Sequence, residues 1–319
     1  MVKQNIKNIK KISVVKYNKC AFEKEKFNQN NGRDKVLFVL KFLLFLSIAS
    51  LLAAFFLSSS NINTGNVALI PISGEITVGD SGSLSSDFVS SDTIIKLIDE
   101  ADLNPNVKAI IFEINSPGGS PVASDEIGSR IKKLNKTTIA VIREIGTSGA
   151  YWIASSTDRI FANRMSITGS IGVTGSYLDF SGLLERYNVT YQNLVSGKYK
   201  DIGSPYKELT PDEKKIMQDL INKLDGYFID EVSQNRNISR ENVQKLADTA
   251  MFYLGQDAKN LGLIDELGNR DDAVNYLEAK LNTKVFLIKY EEKKSFWNSI
   301  SNMLLKKSYL AQNQGISFK

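Results

Sequence analysis

The chain of 319 residues contains no histidine and a single cysteine, Cys20. Imidazole is the usual base where a serine or cysteine must be activated near neutral pH, because its unperturbed pKa lies there. Its absence excludes Ser-His-Asp and Cys-His triads, HExxH zinc sites and the His-containing sites of zinc deaminases. A disulfide framework is excluded as well. Cys20 sits in a lysine-rich stretch with no CxxC spacing and reads as a bystander thiol. No metal and no organic cofactor are expected. If the chain is a serine hydrolase, lysine must supply the base.

Positive charge on the folded body is also missing. The formal net charge is +5, but residues before Val36 carry ten Lys/Arg against three Asp/Glu, a local balance of +7 that leaves −2 for the remainder. A nucleic-acid binder needs its positive charge as a patch on the folded domain, so that function is not expected. The basic segment, residues 1–35, reads instead as a cytoplasmic tail that fixes topology.

The longest apolar run of the chain comes directly after this tail, from Val36 to Leu57 (VLFVLKFLLFLSIASLLAAFFL), and is interrupted only by Lys41, Ser47 and Ser50. As a helix it would extend about 33 Å, enough to cross a bilayer core. Lys41 lies one turn inside the end nearer the tail, where its stem can carry the ammonium back to the headgroups. The expectation is an uncleaved single-pass anchor with its N-terminus in the cytoplasm and the domain beyond it outside. A cleaved signal peptide fits less well, because the charged leader is long and Ser58 to Asn63 offers a poor cleavage site. Residues 58–66 (SSSNINTGN) form a polar, uncharged linker.

A single domain is expected over residues 67–290. Val67–Ile72 is an apolar run of strand length, Ser91–Ala101 has helical spacing behind a Ser/Asp cap, and Val107–Ile114 is a second buried strand. Helix over Val122–Leu134, strand over Thr138–Ile145, short helix over Gly149–Ser156 and strand over Arg159–Ala162 continue the alternation. Helices are expected over Tyr177–Tyr187 and Pro211–Glu231, the latter capped by Thr210 with Pro211 at its first position. Further helix runs to about Leu281, and Val285–Tyr290 could close the fold as a strand. Alternation of this kind argues for a layered α/β domain with crossover connections.

Three short segments could assemble into a site. Gly146-Thr147-Ser148-Gly149-Ala150 places a serine where a buried strand hands over to a helix, so that backbone N–H groups and the helix N-terminus face its hydroxyl. Asn115-Ser116-Pro117-Gly118-Gly119 ends a neighbouring strand with two residues free to turn their amides into a pocket, as an oxyanion hole requires. Ser196 to Pro205 (SGKYKDIGSP) carries two lysines. A lysine base must have its pKa lowered from ~10.4 towards 7, which needs dry surroundings and no carboxylate partner. Asp201 is therefore a complication, although adjacent residues of an extended segment point to opposite sides. The residues themselves do not choose between Lys198 and Lys200.

IxxINSPGG, IGTSGAYWIA, ITGSIGV and SGxYKDIGSPYKELTPDEK, with GQDAKNLGLIDELG after them, together resemble the bacterial signal peptide peptidase A family over roughly Val67 to Ala273. These are membrane-bound Ser-Lys proteases, and the resemblance implies a Clp/crotonase-like repeated ββα domain. It implies Ser148 as nucleophile, Lys200 as general base, Ser170 as the hydroxyl that holds the lysine, and the backbone amides of Gly119 and Gly149 as oxyanion donors. It also implies a cytoplasmic (inner) membrane location with the catalytic domain on the periplasmic or extracytoplasmic side. Peptide substrates would be left-over signal peptides and other apolar or misfolded polypeptides. One copy of the domain resembles the short form, a homo-oligomeric ring in which Ser148 of one protomer meets Lys200 of the next.

Two other readings share the pattern: a non-catalytic membrane scaffold, and a crotonase-like acyl-CoA enzyme, which would need neither an anchor nor the Ser148/Lys200 pair. Ser204-Pro205-Tyr206-Lys207 fits SxxK, but neither SDN nor KTG comes after it. The C-terminal tail, residues 291–319, mixes aromatic and aliphatic residues with lysines, as an amphipathic helix or a frayed end would.

Overall fold

The computed structural model describes residues 35–53, 65–79 and 88–292. The tail with Cys20, most of the linker and residues 293–319 lie outside the described residues. The chain divides into two compact units, Met1–Asn63 and Thr64–Lys319. In the first, helix α1 (Lys35–Ala53) contains an 18-residue stretch with a mean hydropathy of 2.6 and is 19 residues long. That is about 28 Å of helix, close to a bilayer's hydrocarbon thickness. By length and composition it can cross a membrane. The expected span reached Leu57, and its last four residues are outside the described set.

The second unit is built on one mostly parallel sheet. In chain order its elements are β1 (Val67–Ser73), β2 (Glu75–Thr77), β3 (Phe88–Ser90), α2 (Ser91–Leu103), β4 (Ala109–Ser116), α3 (Pro121–Lys132), β5 (Thr137–Thr147), α4 (Gly149–Ser155), β6 (Arg159–Ala162), β7 (Ile167–Gly169), α5 (Ser181–Arg186), α6 (Pro211–Arg236), α7 (Arg240–Ala247), β8 (Phe252–Leu254), α8 (Gly255–Asn260), β9 (Glu266–Leu267), α9 (Arg270–Leu281) and β10 (Leu287–Lys289). The order across the sheet is β10-β1-β4-β5-β6-β9, all parallel, with β7 pairing the far end of β5 and β8 antiparallel to β7. β2 and β3 form a separate parallel ribbon.

Near-continuous apolar strands are what a sheet covered on both faces demands. Alternate residues divide between the two faces. Ile70, Ile110, Phe112, Ala140 and Ile142 pack beneath α2, α3 and α4, whereas Leu69, Ile111, Ile139 and Val141 meet Ala273 and Leu277 of α9. The class is α/β, as expected.

Three elements differ from expectation. The helix expected over Tyr177–Tyr187 is only Ser181–Arg186, because Asp179 takes the backbone N–H and the hydroxyl of Ser181 and starts the helix there. The helix expected to end at Glu231 runs to Arg236 and stops at Asn237, whose φ of 52° is left-handed. The closing strand is confined to Leu287–Lys289.

Candidate active site

β5 and β4 are the two longest strands, and their carboxyl ends carry both glycine-containing segments. β5 runs straight into α4 with Ser148 as the junction, at φ 53° and ψ −127°. This conformation suits glycine, and the chain holds a serine in it. The turn is fixed on every side. Ser148 N–H donates to Gly169 O at 2.9 Å, Ser148 O accepts from Trp152 N–H at 3.0 Å, and the Thr147 hydroxyl donates to Pro117 O at 3.0 Å.

Gly119 enters from the other segment. It forms an isolated parallel bridge with Ile76 of β2, in which Ile76 N–H donates to Gly118 O (2.9 Å) and Ser120 N–H to Ile76 O (2.8 Å). Both bonds use the peptide groups flanking Gly119, so its own N–H is directed to the opposite side. At φ 153° a side chain is barred, since a Cβ would lie 2.1 Å from Ile76 O. Gly149 provides the first N–H of α4, which has no acceptor within the helix. A Cβ on Gly149 would stand 3.4 Å from the Gly119 nitrogen, which makes the two amides neighbours. Gly119, Ser148 and Gly149 line one cavity of ≈ 90 Å³. Trp152, Val173 and Phe228 contribute its apolar walls.

Ser170 comes to the same place. β7 pairs with β5 through Thr147↔Gly169, so Ser148 and Ser170 are the next residues of adjacent strands. Ser170 too has a left-handed φ, 50°, and its N–H donates to Met251 O at 2.9 Å.

Lys200 stands apart from these four within one chain. After Ile171 the polypeptide leaves the sheet as a largely exposed arm, residues 172–208, which returns where Phe180 N–H donates to Pro205 O at 2.7 Å. Lys200 lies in this arm, exposed, and does not line the Ser148 cavity. Among the described residues it forms no ion pair. The Asp201 carboxylate is engaged elsewhere, by Lys207 Nζ at 3.0 Å and Asn193 Nδ2 at 2.5 Å, and these bonds hold it below the usual carboxylate range. Lys198, the other candidate lysine, interacts with Tyr199 and sits 3.2 Å from Asp212, contacts that raise its pKa and keep its proton on. Lys207 is clasped between Glu213 (2.7 Å) and Asp201, which raises its pKa and disqualifies the SxxK arrangement with Ser204.

Sequence reasoning missed the cavity walls and the clasp. A Lys-x₅-Glu spacing before a helix cap could have pointed to the clasp, because Glu213 is also the third residue of the Thr210 capping box. Nothing local marks Val173 or Phe228, which reach the serine only through the tertiary fold. Among the described residues no group of His, Cys, Asp and Glu could hold a metal ion.

A serine at a strained strand-to-helix turn, under two backbone amides and beside an apolar cavity, is the constellation of an acyl-transfer enzyme. Residues 130–284 match peptidase family S49. A Methanocaldococcus jannaschii protein named as a protease is 31% identical over 261 residues, covering 78% of this chain and 84% of the relative. An Enterococcus faecium protein named as a signal peptide peptidase, SppA, is 32% identical over 231 residues, 70% of this chain and 67% of that one. Protease 4 of Haemophilus influenzae is 32% identical over 221 residues, 68% of this chain but only 35% of the longer relative. Among solved structures, a membrane-bound stomatin-specific protease covers 72% of this chain with a TM-score of 0.46 and 17% identity, too distant to bear on function. The chain belongs to the signal peptide peptidase A family, peptidase family S49, and is a protease.

Proposed function

We propose that the protein is a membrane-anchored serine endopeptidase with a Ser-Lys dyad that degrades remnant signal peptides and other apolar or misfolded polypeptides at the membrane surface. Ser148 is the nucleophile and Lys200 the general base. Ser170 holds the lysine in place, and the amides of Gly119 and Gly149 receive the oxyanion. Ser148 attacks the peptide carbonyl while its proton passes to the side-chain amine of Lys200. The tetrahedral oxyanion is held by the two amides, the leaving amine takes the proton, and water then hydrolyses the acyl-enzyme.

The observation that carries this reading is the division of the machinery: Ser148, Gly119 and Gly149 line one cavity and Ser170 adjoins Ser148 through the β5–β7 pairing, while Lys200 is carried away on an exposed arm. Tyr177, Leu178, Leu183, Tyr187 and Leu194 are left open to solvent on that arm, Leu194 almost completely. An apolar surface of this extent calls for a protein partner. A second protomer is the fitting one, because docking its arm beside Ser148 both covers the apolar side chains and completes the dyad. Helix α1 supports the membrane location, with the basic tail in the cytoplasm and the catalytic unit outside.

The test is complementation. Ser148→Ala and Lys200→Ala chains, each inactive alone, are co-assembled and assayed on an apolar fluorogenic peptide. Recovery of activity in the mixture is expected. A dyad formed within one chain gives none.

A further inference from the structure

The cavity beside Ser148 is lined from three helices, by Pro121 of α3, Trp152 of α4 and Phe228 of α6, together with Ser148, Gly119 and Gly149. Resting on the reading of Ser148 as nucleophile, the side chain that enters is therefore the one on the residue whose carbonyl is attacked. The indole of Trp152 (α4) stacks on the ring of Phe228 (α6) at 5.0 Å between centroids and 24° between planes. Both are almost fully buried, at 5% and 2% exposure. Behind the indole stands Gly128 of α3. A Cβ there would lie 2.7 Å from Ser156 Oγ, which can rotate away, and 3.3 Å from Trp152 Cδ1, so an added methyl presses on the indole and moves it by a few tenths of an ångström.

The volume of ≈ 90 Å³ is well under the roughly 150 Å³ of an apolar cavity known to hold benzene. We infer that Gly128, Trp152 and Phe228 together gauge the substrate side chain at the scissile carbonyl, admitting aliphatic groups up to leucine and excluding aromatic rings. Gly128 is a positioning residue here, since it acts only through the indole.

The full-length protein in detergent is assayed for kcat/KM on three peptides that differ only in Ala, Leu or Phe at that position. Wild type is expected to cleave the Ala and Leu peptides and to disfavour Phe by tenfold or more, the scale of a methylene or two in an apolar pocket. Phe228→Leu opens the space under the indole and raises the Phe-to-Leu ratio by about tenfold. Gly128→Ala presses the indole by a few tenths of an ångström and lowers the Leu-to-Ala ratio by a smaller factor. Loss of packing alone would scale all three peptides together and leave the ratios fixed. Should Gly128→Ala not fold, the Phe228→Leu ratio decides. Wild type that cleaves Phe as readily as Leu, or unchanged ratios in Ser148-dependent variants, overturns the gauge alone. Hydrolysis that survives Ser148→Ala overturns the nucleophile assignment and the gauge with it.

Discussion

Ser148 and Gly119 meet because two strand ends are tied to each other and to the ribbon beside them, and substitutions at the two residues should fail for different reasons. Ser148→Ala keeps the turn and every backbone hydrogen bond around it. It is expected to abolish both peptide hydrolysis and labelling by a fluorophosphonate, with its unfolding midpoint close to wild type. Gly119→Ala forces a Cβ to within 2.1 Å of Ile76 O and must shift the amide itself. With Gly119 in its proposed role, misplacing this one oxyanion donor costs about 10²- to 10³-fold in kcat. That loss, with retained labelling of Ser148, is the expected signature in steady-state kinetics. At this scale the sequence was most informative. Glycines around a serine at the end of an apolar strand already imply a turn that exposes backbone amides, and Ser148, Gly119 and Gly149 do converge. What individual residues could not reveal was which lysine is free of carboxylates, since that depends on Asp212 and Glu213, which lie beyond the arm in sequence and reach Lys198 and Lys207 only through the fold.

Among the elements, the arm between β7 and α6 is held by charge where it returns to the body. Its return limb is pinned where Lys207 meets Asp201 and Glu213, and Glu213 at the same time closes the N-terminus of α6 by accepting from Thr210 N–H at 2.9 Å. The hydrogen bond from Lys207, then those from Thr210, hold the Glu213 carboxyl down to about 2 from its ordinary 4.5. A carboxylate with a depressed folded pKa adds stability above its unfolded pKa and loses it as pH falls through the folded value. The gap in thermal midpoint between wild type and Glu213→Gln should therefore be constant above pH 4.5 and close between pH 4.5 and pH 2. Because the clasp holds the limb that carries Lys200, Lys207→Met is expected to slow hydrolysis by about tenfold, on the order of 1.4 kcal/mol, while the sheet core keeps its cooperative melt. The long strands β1, β4 and β5 and the capped helices were legible because periodicity and capping are local. The short β2, β3, β7, β8 and β9 were not. Two or three residues carry no readable period, and they are strands only because a neighbour's edge is there to pair with.

For the whole molecule, α1 and the unit from Thr64 onward make separate demands on solvent. A protein starting at Thr64 is expected to remain folded and soluble, whereas the full chain should float with vesicles on a density gradient. If the dyad is completed between protomers, the freed unit should also lose specific activity on dilution, faster than first order in protein, and regain it on concentration. A rate strictly proportional to protein over a wide concentration range would place the base within the same chain. The overall class was readable from alternating apolar runs, whereas the separation of Lys200 from Ser148 within one chain was expected only through the family resemblance, because residue order alone does not say where an exposed arm is carried.

The backbone torsions of Ser148 have an implication for the unmodified enzyme's own durability. A serine at φ 53°, ψ −127° occupies ground that only glycine takes without penalty, at a cost of about 1–3 kcal/mol. Glycine's extra freedom in the unfolded chain returns roughly 0.5–1 kcal/mol of that. Ser148→Gly should then melt at or above the temperature of wild type, and clearly above Ser148→Ala, while being catalytically dead. On the proposed role of Ser148, that difference in melting temperature is what aiming one hydroxyl takes from the fold.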